Sequence, residues 1–337
     1  MKKKIFKIFN YIIFLSLGIT LLLYVSKGQN IHRIIRDIEN ANYYWITLAF
    51  IAGILSHLVR AIRWNMLVNS LGYKTKTITT FYAVLIGYFA NLAIPRIGEL
   101  TRCGVISKQN KIPLNSVIGT VVAERIFDTL CLIVILFFVI IFQISFLGDF
   151  ALKYMINPIS SKFINNRNFA LFAIIIAIAL LLGIYFLYKS LLPKFKKLTF
   201  FYKLKRFFIG FIYGIKSIAN VKSLKLFFVQ SFLLWTMYTL VTYFCFQSIK
   251  SLSYLTIIDA LTLTAIGSIG FIIPVPGGIG AYHAVVILSL VELYKIKRDV
   301  AISFAYLAHS SQTLLIIILG TVSLFLIFLT NKKNKTE

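Results

Sequence analysis

Uninterrupted apolar runs, several long enough to cross a lipid bilayer, constrain this chain more than any other feature of its sequence. About 20 helical residues span a hydrocarbon core about 30 Å thick. Six runs qualify as full spans, at residues 8–25, 43–59, 112–142, 169–188, 226–247 and 302–329. Inside lipid the backbone must satisfy its own hydrogen bonds, which leaves helices or closed barrels. Barrel strands alternate in polarity, whereas these runs are continuous. With 59% hydrophobic and only 14% charged residues, no soluble-domain reading survives. The expected fold is all-α, a polytopic transmembrane helical bundle.

Two further runs are shorter and end in breaks. Residues 78–94 stop at Pro95-Arg96-Ile97-Gly98-Glu99. Residues 257–273 stop at Pro274-Val275-Pro276-Gly277-Gly278-Ile279-Gly280, and residues 281–294 are apolar again. A helix, a break and a second short helix read as a re-entrant hairpin. The basic start, MKKKIFK, resembles the opening of a signal peptide, but no small-residue cleavage pattern follows, so it reads as an uncleaved first helix. Residues 189–225 carry ten basic side chains and no acid, which marks them as cytoplasmic. With both termini also cytoplasmic, six spans and two hairpins give a consistent topology in the cell membrane. The hairpins then enter from opposite faces, as in an inverted-repeat transporter. The two broken segments, residues 86–99 and 266–281, share Ile-Gly, an apolar stretch, Pro, then Ile-Gly. The chain reads as one domain, 1–337, with halves 1–168 and 169–337.

The formal charge of +26 would suggest nucleic acid on a soluble protein. On a membrane protein it describes cytoplasmic loops facing anionic lipid, so lipid is the expected partner and nucleic acid is not; a homo-oligomer stays open. Cys103, Cys131 and Cys245 form no paired spacing, and His32, His57, His283 and His309 do not cluster in sequence. No metal, cofactor or nucleotide-binding loop is expected.

Candidate chemistry lies in charged groups within apolar sequence: Arg96, Glu99, Arg102, Glu124, Arg125 and Asp128. Left unpaired, six such charges would cost roughly 15–20 kcal/mol on insertion scales. They must pair, meet water or lie near an interface. Glu124 and Asp128 are four apart and share a helix face, and Arg96 and Arg102 are candidate counterions. The cluster either pins the first hairpin to the helix at 112–142 or also receives a lipid phosphate through its arginines. Pro276, Gly277, Gly278 and Gly280 form a flexible break that could line a cavity. His283 reads as a buried hydrogen-bonding group or a headgroup contact. Asn91 either caps a helix or lines a cavity, and Arg60, Arg63 and Trp64 read as interfacial anchors.

Arg63-Trp64…Leu67, Asn91…Pro95-Arg96-Ile97-Gly98-Glu99…Arg102, Glu124-Arg125…Asp128 and Pro274-Val275-Pro276-Gly277-Gly278-Ile279-Gly280 occur in that order over nearly the whole chain. Together they resemble the lysylphosphatidylglycerol synthase transmembrane-domain family of flippase-like membrane proteins. The resemblance implies a domain that moves lipid between leaflets. In the bifunctional synthases a separate cytosolic domain transfers lysine. Only residues 331–337 follow the last run, so that domain is expected to be absent. The family often carries Glu three residues after the last glycine of the second break, where this chain has His283.

Three functions are therefore in play. A translocator would take an anionic or amino-modified phospholipid, or a polyprenyl-linked lipid, between its halves. A membrane transferase would use Glu99, Glu124 or Asp128 as acid or base, although no nucleophile–base or metal pattern supports it. A scaffold would need the charges for assembly alone.

Overall fold

The computed structural model describes residues 31–142 and 218–336, plus isolated positions before residue 31. The span expected at 169–188 and most of the basic stretch lie outside the described residues, as does the first span but for those positions. Among the described residues every regular element is helical. The helices are α1 (Ile31–Glu39), α2 (Tyr43–Asn69), α3 (Thr77–Ala93), α4 (Ile97–Asn110) and α5 (Leu114–Phe142), then α6 (Leu224–Ser248), α7 (Ile257–Gly270), α8 (Ala281–Glu292) and α9 (Arg298–Thr336). By length and composition Tyr43–Asn69, Leu224–Ser248 and Arg298–Thr330 can cross a membrane. The 29-residue α5 carries Glu124, Arg125 and Asp128 in its first half.

The surface is inverted relative to a soluble protein. Phe232 is 76% exposed and Phe325 61%, while Arg63 is fully buried. Apolar side chains outside and ions inside suit a lipid solvent.

Helices α2 and α6 form an antiparallel central pair. The Asn42 N–H at the start of α2 donates to the Ser248 carbonyl at the end of α6, at 2.8 Å, and Trp45 stacks on Phe244. One apolar core joins the start of α2 to the end of α6, with α7, α8 and α9. A second joins the far end of α2 to α3, α4, α5 and Phe227 of α6. Each core therefore holds one hairpin, at opposite ends of the central pair.

The first hairpin is α3–α4. It begins beside the end of α2, where Asn65 donates to the Thr75 carbonyl at 3.1 Å. The second is α7–α8. It begins beside the end of α6, after a Thr256–Asp259 capping box. The two tips meet: Arg96 Nη2 donates to the Ile272 carbonyl at 2.6 Å, and Gly277 lies against Leu92. Hence α2–α3–α4–α5 and α6–α7–α8–α9 repeat one element order in opposite directions.

The sequence boundaries shift in two places. The second apolar run ends at residue 59, but α2 continues through Arg60, Arg63 and Trp64 to Asn69, because their partners are inside the bundle. The polar stretch before it holds α1, which packs on α9 through Ser303 Oγ donating to Asp37 at 3.0 Å.

The first hairpin closes backbone to backbone. A Cβ on Gly98 would collide with the Gly87 carbonyl and with Asn91, whereas one on Gly104 would meet nothing within 4 Å. Gly98→Ala should therefore cost about 1–3 kcal/mol or more through overpacking. Gly104→Ala should be neutral or stabilising by up to about 1 kcal/mol through helix propensity. Thermal unfolding of the two variants in the same detergent tests the contrast.

Candidate functional site

Three helices deliver an ionic cluster to the first half. Arg60 and Arg63 come from α2, one turn apart. Glu124 and Asp128 come from one face of α5, and Arg102 comes from α4. Arg60 clamps both carboxylates, with Nη1 at 2.9 Å from Glu124 Oε1 and Nη2 at 3.0 Å from Asp128 Oδ2. Arg63 Nη2 lies 3.3 Å from Glu124 and 2.5 Å from Asp128. Arg102 Nη1 lies 2.9 Å from Glu124 Oε2. Helix α6 adds neutral partners: Arg60 Nε donates to the Tyr238 hydroxyl at 3.1 Å, and Arg63 Nη1 to Ser231 Oγ at 3.1 Å.

Aromatic rings complete the burial. Arg102 lies 4.6 Å above the Trp64 ring, and Arg63 is 5.7 Å from Phe227. The Trp64 indole donates to Thr120 Oγ1 at 3.0 Å. Arg63, Trp64 and Glu124 are fully buried. The anchor reading of Arg60, Arg63 and Trp64 is thus overturned: they are the central counterions and their platform.

The charges do not balance. Arg60, Arg63 and Arg102 face Glu124 and Asp128, three positive against two negative. A further pair, Arg125 with Glu99 at 2.7 Å, adds no net charge and is partly exposed. One positive charge is left over. Arg102 Nη2 is buried without a hydrogen-bond partner, and so is Glu99 Oε2.

A narrow cleft opens beside this surplus. Its walls include Arg60, Tyr88, Asn91, Gly98, Glu99, Arg102 and Arg125. Asn91 serves both expected purposes: its Oδ1 accepts the Gly98 N–H at 2.7 Å while the residue lines the cleft. Glu99, Arg102 and Arg125 line it too, and Glu124 and Asp128 stand behind them through Arg60.

The remaining candidates lie elsewhere. Arg96 does not reach Glu124; it adopts a left-handed backbone (φ 61°) and spans to the second hairpin. Pro276, Gly277, Gly278 and Gly280 form that hairpin's tip, and all three glycines have positive φ. A Cβ at Gly278 would lie 2.5 Å from the Phe271 ring. The Gly277 carbonyl lies 2.9 Å from His309 Nε2 of α9. His283 is buried, accepts the Gly280 N–H at 3.4 Å, and its ring is tilted against that of His309, 4.7 Å between centroids. No metal-ligand cluster occurs among the described residues.

Arg60, Arg63, Tyr88 and Tyr238 were not singled out from sequence as site residues. A signal existed for part of this set. Gly53, His57, Arg60 and Trp64 recur at three- and four-residue spacing, which places them on one side of α2.

The sequence model described as the lysylphosphatidylglycerol synthase TM region matches residues 11–320. The chain is 32% identical over 137 residues to a UPF0104 membrane protein of Methanocaldococcus jannaschii, covering 40% of this chain and 41% of that protein. It is 25% identical over 283 residues to a UPF0104 membrane protein of Pyrococcus horikoshii, covering 80% of this chain and 83% of that one. It is also 28% identical over 109 residues to glycosyltransferase AglD of Haloferax volcanii, covering 32% of this chain and 17% of that protein. No solved structure matches.

Removing one member of a buried ion pair strands its partners. Glu124→Ala leaves three arginines crowded together and should cost about 3–5 kcal/mol. Arg125→Ala breaks a partly exposed pair and should cost at most about 1 kcal/mol. Thermal unfolding in detergent would contradict the assignment if the two variants melted alike.

Proposed function

Because this multi-pass membrane protein belongs to the lysylphosphatidylglycerol synthase transmembrane-region family, we propose that it moves a lipid between leaflets, with the headgroup received beside the arginine–carboxylate cluster. The observation that carries this reading is a surplus buried cation lining a narrow cleft in a bundle whose outside is apolar. A cluster built only to staple helices would gain by being neutral. A lipid keeps its chains in the apolar surround while its headgroup needs such a polar site.

The opposed hairpins supply a route. Each holds its own end of the bundle, and their tips meet through Arg96 and Ile272. Parting the tips on alternate sides would expose the cleft to one leaflet at a time. The match to a part of a glycosyltransferase fits a membrane module that also occurs within a longer protein.

Orientation follows from charge. The end of the bundle that holds the α3–α4 hairpin gathers Lys74, Lys76, Lys108, Lys111, Lys222 and Lys225, with no acid among the loop residues there. The other end carries Asp37, Glu39, Asp259, Glu292 and Asp299 beside its basic residues. The lysine-rich end therefore faces the cytoplasm.

Purified protein in vesicles should exchange a fluorescent phospholipid between leaflets. Arg96→Ala and Glu124→Gln, checked for folding, should slow exchange about tenfold or more, the equivalent of one lost charge-assisted hydrogen bond. Wild-type rates in both variants would refute the translocation reading. In a variant lacking the three cysteines, Lys74→Cys should react with a membrane-impermeant thiol reagent only from the cytoplasmic side, and Ser253→Cys only from outside.

A further inference from the structure

We propose that His283 is a proton-binding site that works the second hairpin: the Pro276–Gly280 tip lifts away when His283 Nδ1 takes a proton from water. What the opening serves rests on the lipid-translocation reading. The proton site rests on the geometry of the tip.

Two histidines from different helices grip this tip at positions three residues apart. The Gly280 N–H points at His283 Nδ1, 3.4 Å away. A backbone N–H only donates, so Nδ1 carries no hydrogen while the tip is closed, and the imidazole hydrogen is on Nε2. An imidazolium has an N–H on both nitrogens. It would set one N–H against another, so the closed tip and a charged His283 exclude each other. The second grip is His309 of α9, whose Nε2 lies 2.9 Å from the Gly277 carbonyl. A carbonyl only accepts, so this nitrogen bears hydrogen in either charge state, and protonating His309 leaves its grip intact. His283 is therefore the sensing member of the pair.

The surroundings do not compensate a cation while the tip is closed. The groups that face His283 are His309 and Tyr306 of α9, with ring centroids at 4.7 and 4.9 Å, and Tyr282 of its own helix at 6.0 Å. Tyr282 in turn meets Phe271 after α7 and Cys245 of α6. The α7 carboxylate, Asp259, lies in the capping box at the far end of that helix. Arg96, from the first hairpin, is bound to the Ile272 carbonyl. Among the described residues no acid pairs with either histidine, and no third His, Cys, Asp or Glu joins them to hold a metal. A proton needs only the one lone pair that opening uncovers.

His283 is 3% exposed, so the proton arrives as the tip lifts. Positive φ at Gly277, Gly278 and Gly280 lets the tip change shape at little steric cost. Gly277 also lies against Leu92 of the first hairpin, so lifting the tip loosens the seam between the hairpins. The proton is bound only in the open form, hence acid favours opening.

Thiol accessibility reads the tip. In the full chain lacking its three cysteines, Val275→Cys puts a thiol on the tip at a position 5% exposed. Ser253→Cys, exposed and away from the tip, corrects for the reagent's own pH dependence. In micelles, the labelling rate of Val275→Cys relative to Ser253→Cys should rise about thirtyfold from pH 8 to pH 5, the gain from one free imidazole titrating near pH 6.5. His283→Asn sets an amide oxygen in place of Nδ1 and should hold the ratio flat. His309→Gln keeps a donor for the Gly277 carbonyl and should keep the rise. Should His283→Asn fail to fold, His283→Gln gives the same readout. A flat ratio with both histidines present, a rise that survives the His283 substitution, or a rise lost in His309→Gln would overturn the proton site. Leaflet exchange in vesicles over the same pH series judges the other reading. A titrating tip without exchange upholds the proton site and overturns translocation, and exchange with a flat tip does the reverse.

Discussion

Everything in the first half of this bundle is tied to the contact of Arg60 and Arg63 with Glu124 and Asp128. A charge at the centre of a membrane helix costs about 2.5–3.5 kcal/mol on insertion scales, so none of these helices is content alone. Brought together, α2 and α5 exchange four ion contacts, α4 adds Arg102, and α6 contributes Ser231 and Tyr238. Hydrophobic attraction between helices is weak in lipid. Here polar contacts take over the task of deciding which helix faces which, and the Trp64 and Phe227 rings keep the arginines out of lipid.

The second half repeats the architecture with different chemistry. Its long helix α9 holds its hairpin as α5 holds the first, but through His309 on the Gly277 carbonyl instead of through ion pairs. His283, His309, Tyr282 and Tyr306 form an aromatic cluster behind the tip. The glycines at the tip accept left-handed backbone and let Phe271 and Leu92 approach closely. One hairpin thus lies beside a charged cleft, and the tip of the other carries no charged side chain.

The cleft itself owes its character to what is left unsatisfied. Asn91 neutralises the Gly98 N–H, Arg125 takes one oxygen of Glu99, and Glu124 takes one nitrogen of Arg102. The remaining donor and acceptor are on one helix, three residues apart.

Much of this was legible in the residues. Continuous apolar runs dictated helices, because lipid offers no other way to satisfy a backbone. Pro95 and the Pro276–Gly280 stretch marked both hairpins, because proline and clustered glycines favour a break in a helix. The four-residue spacing of Glu124 and Asp128 announced a shared face in need of cations. The identity of those cations was not available from the chain. Arg60 and Arg63 lie about sixty residues from Glu124 and near the end of an apolar run, where lone arginines ordinarily seek the interface. Only the packing of α2 against α5 turned them inward. Local sequence sets what each helix must hide, since that depends on its own side chains. Which partner does the hiding depends on distances between segments far apart in the chain, and those exist only after folding.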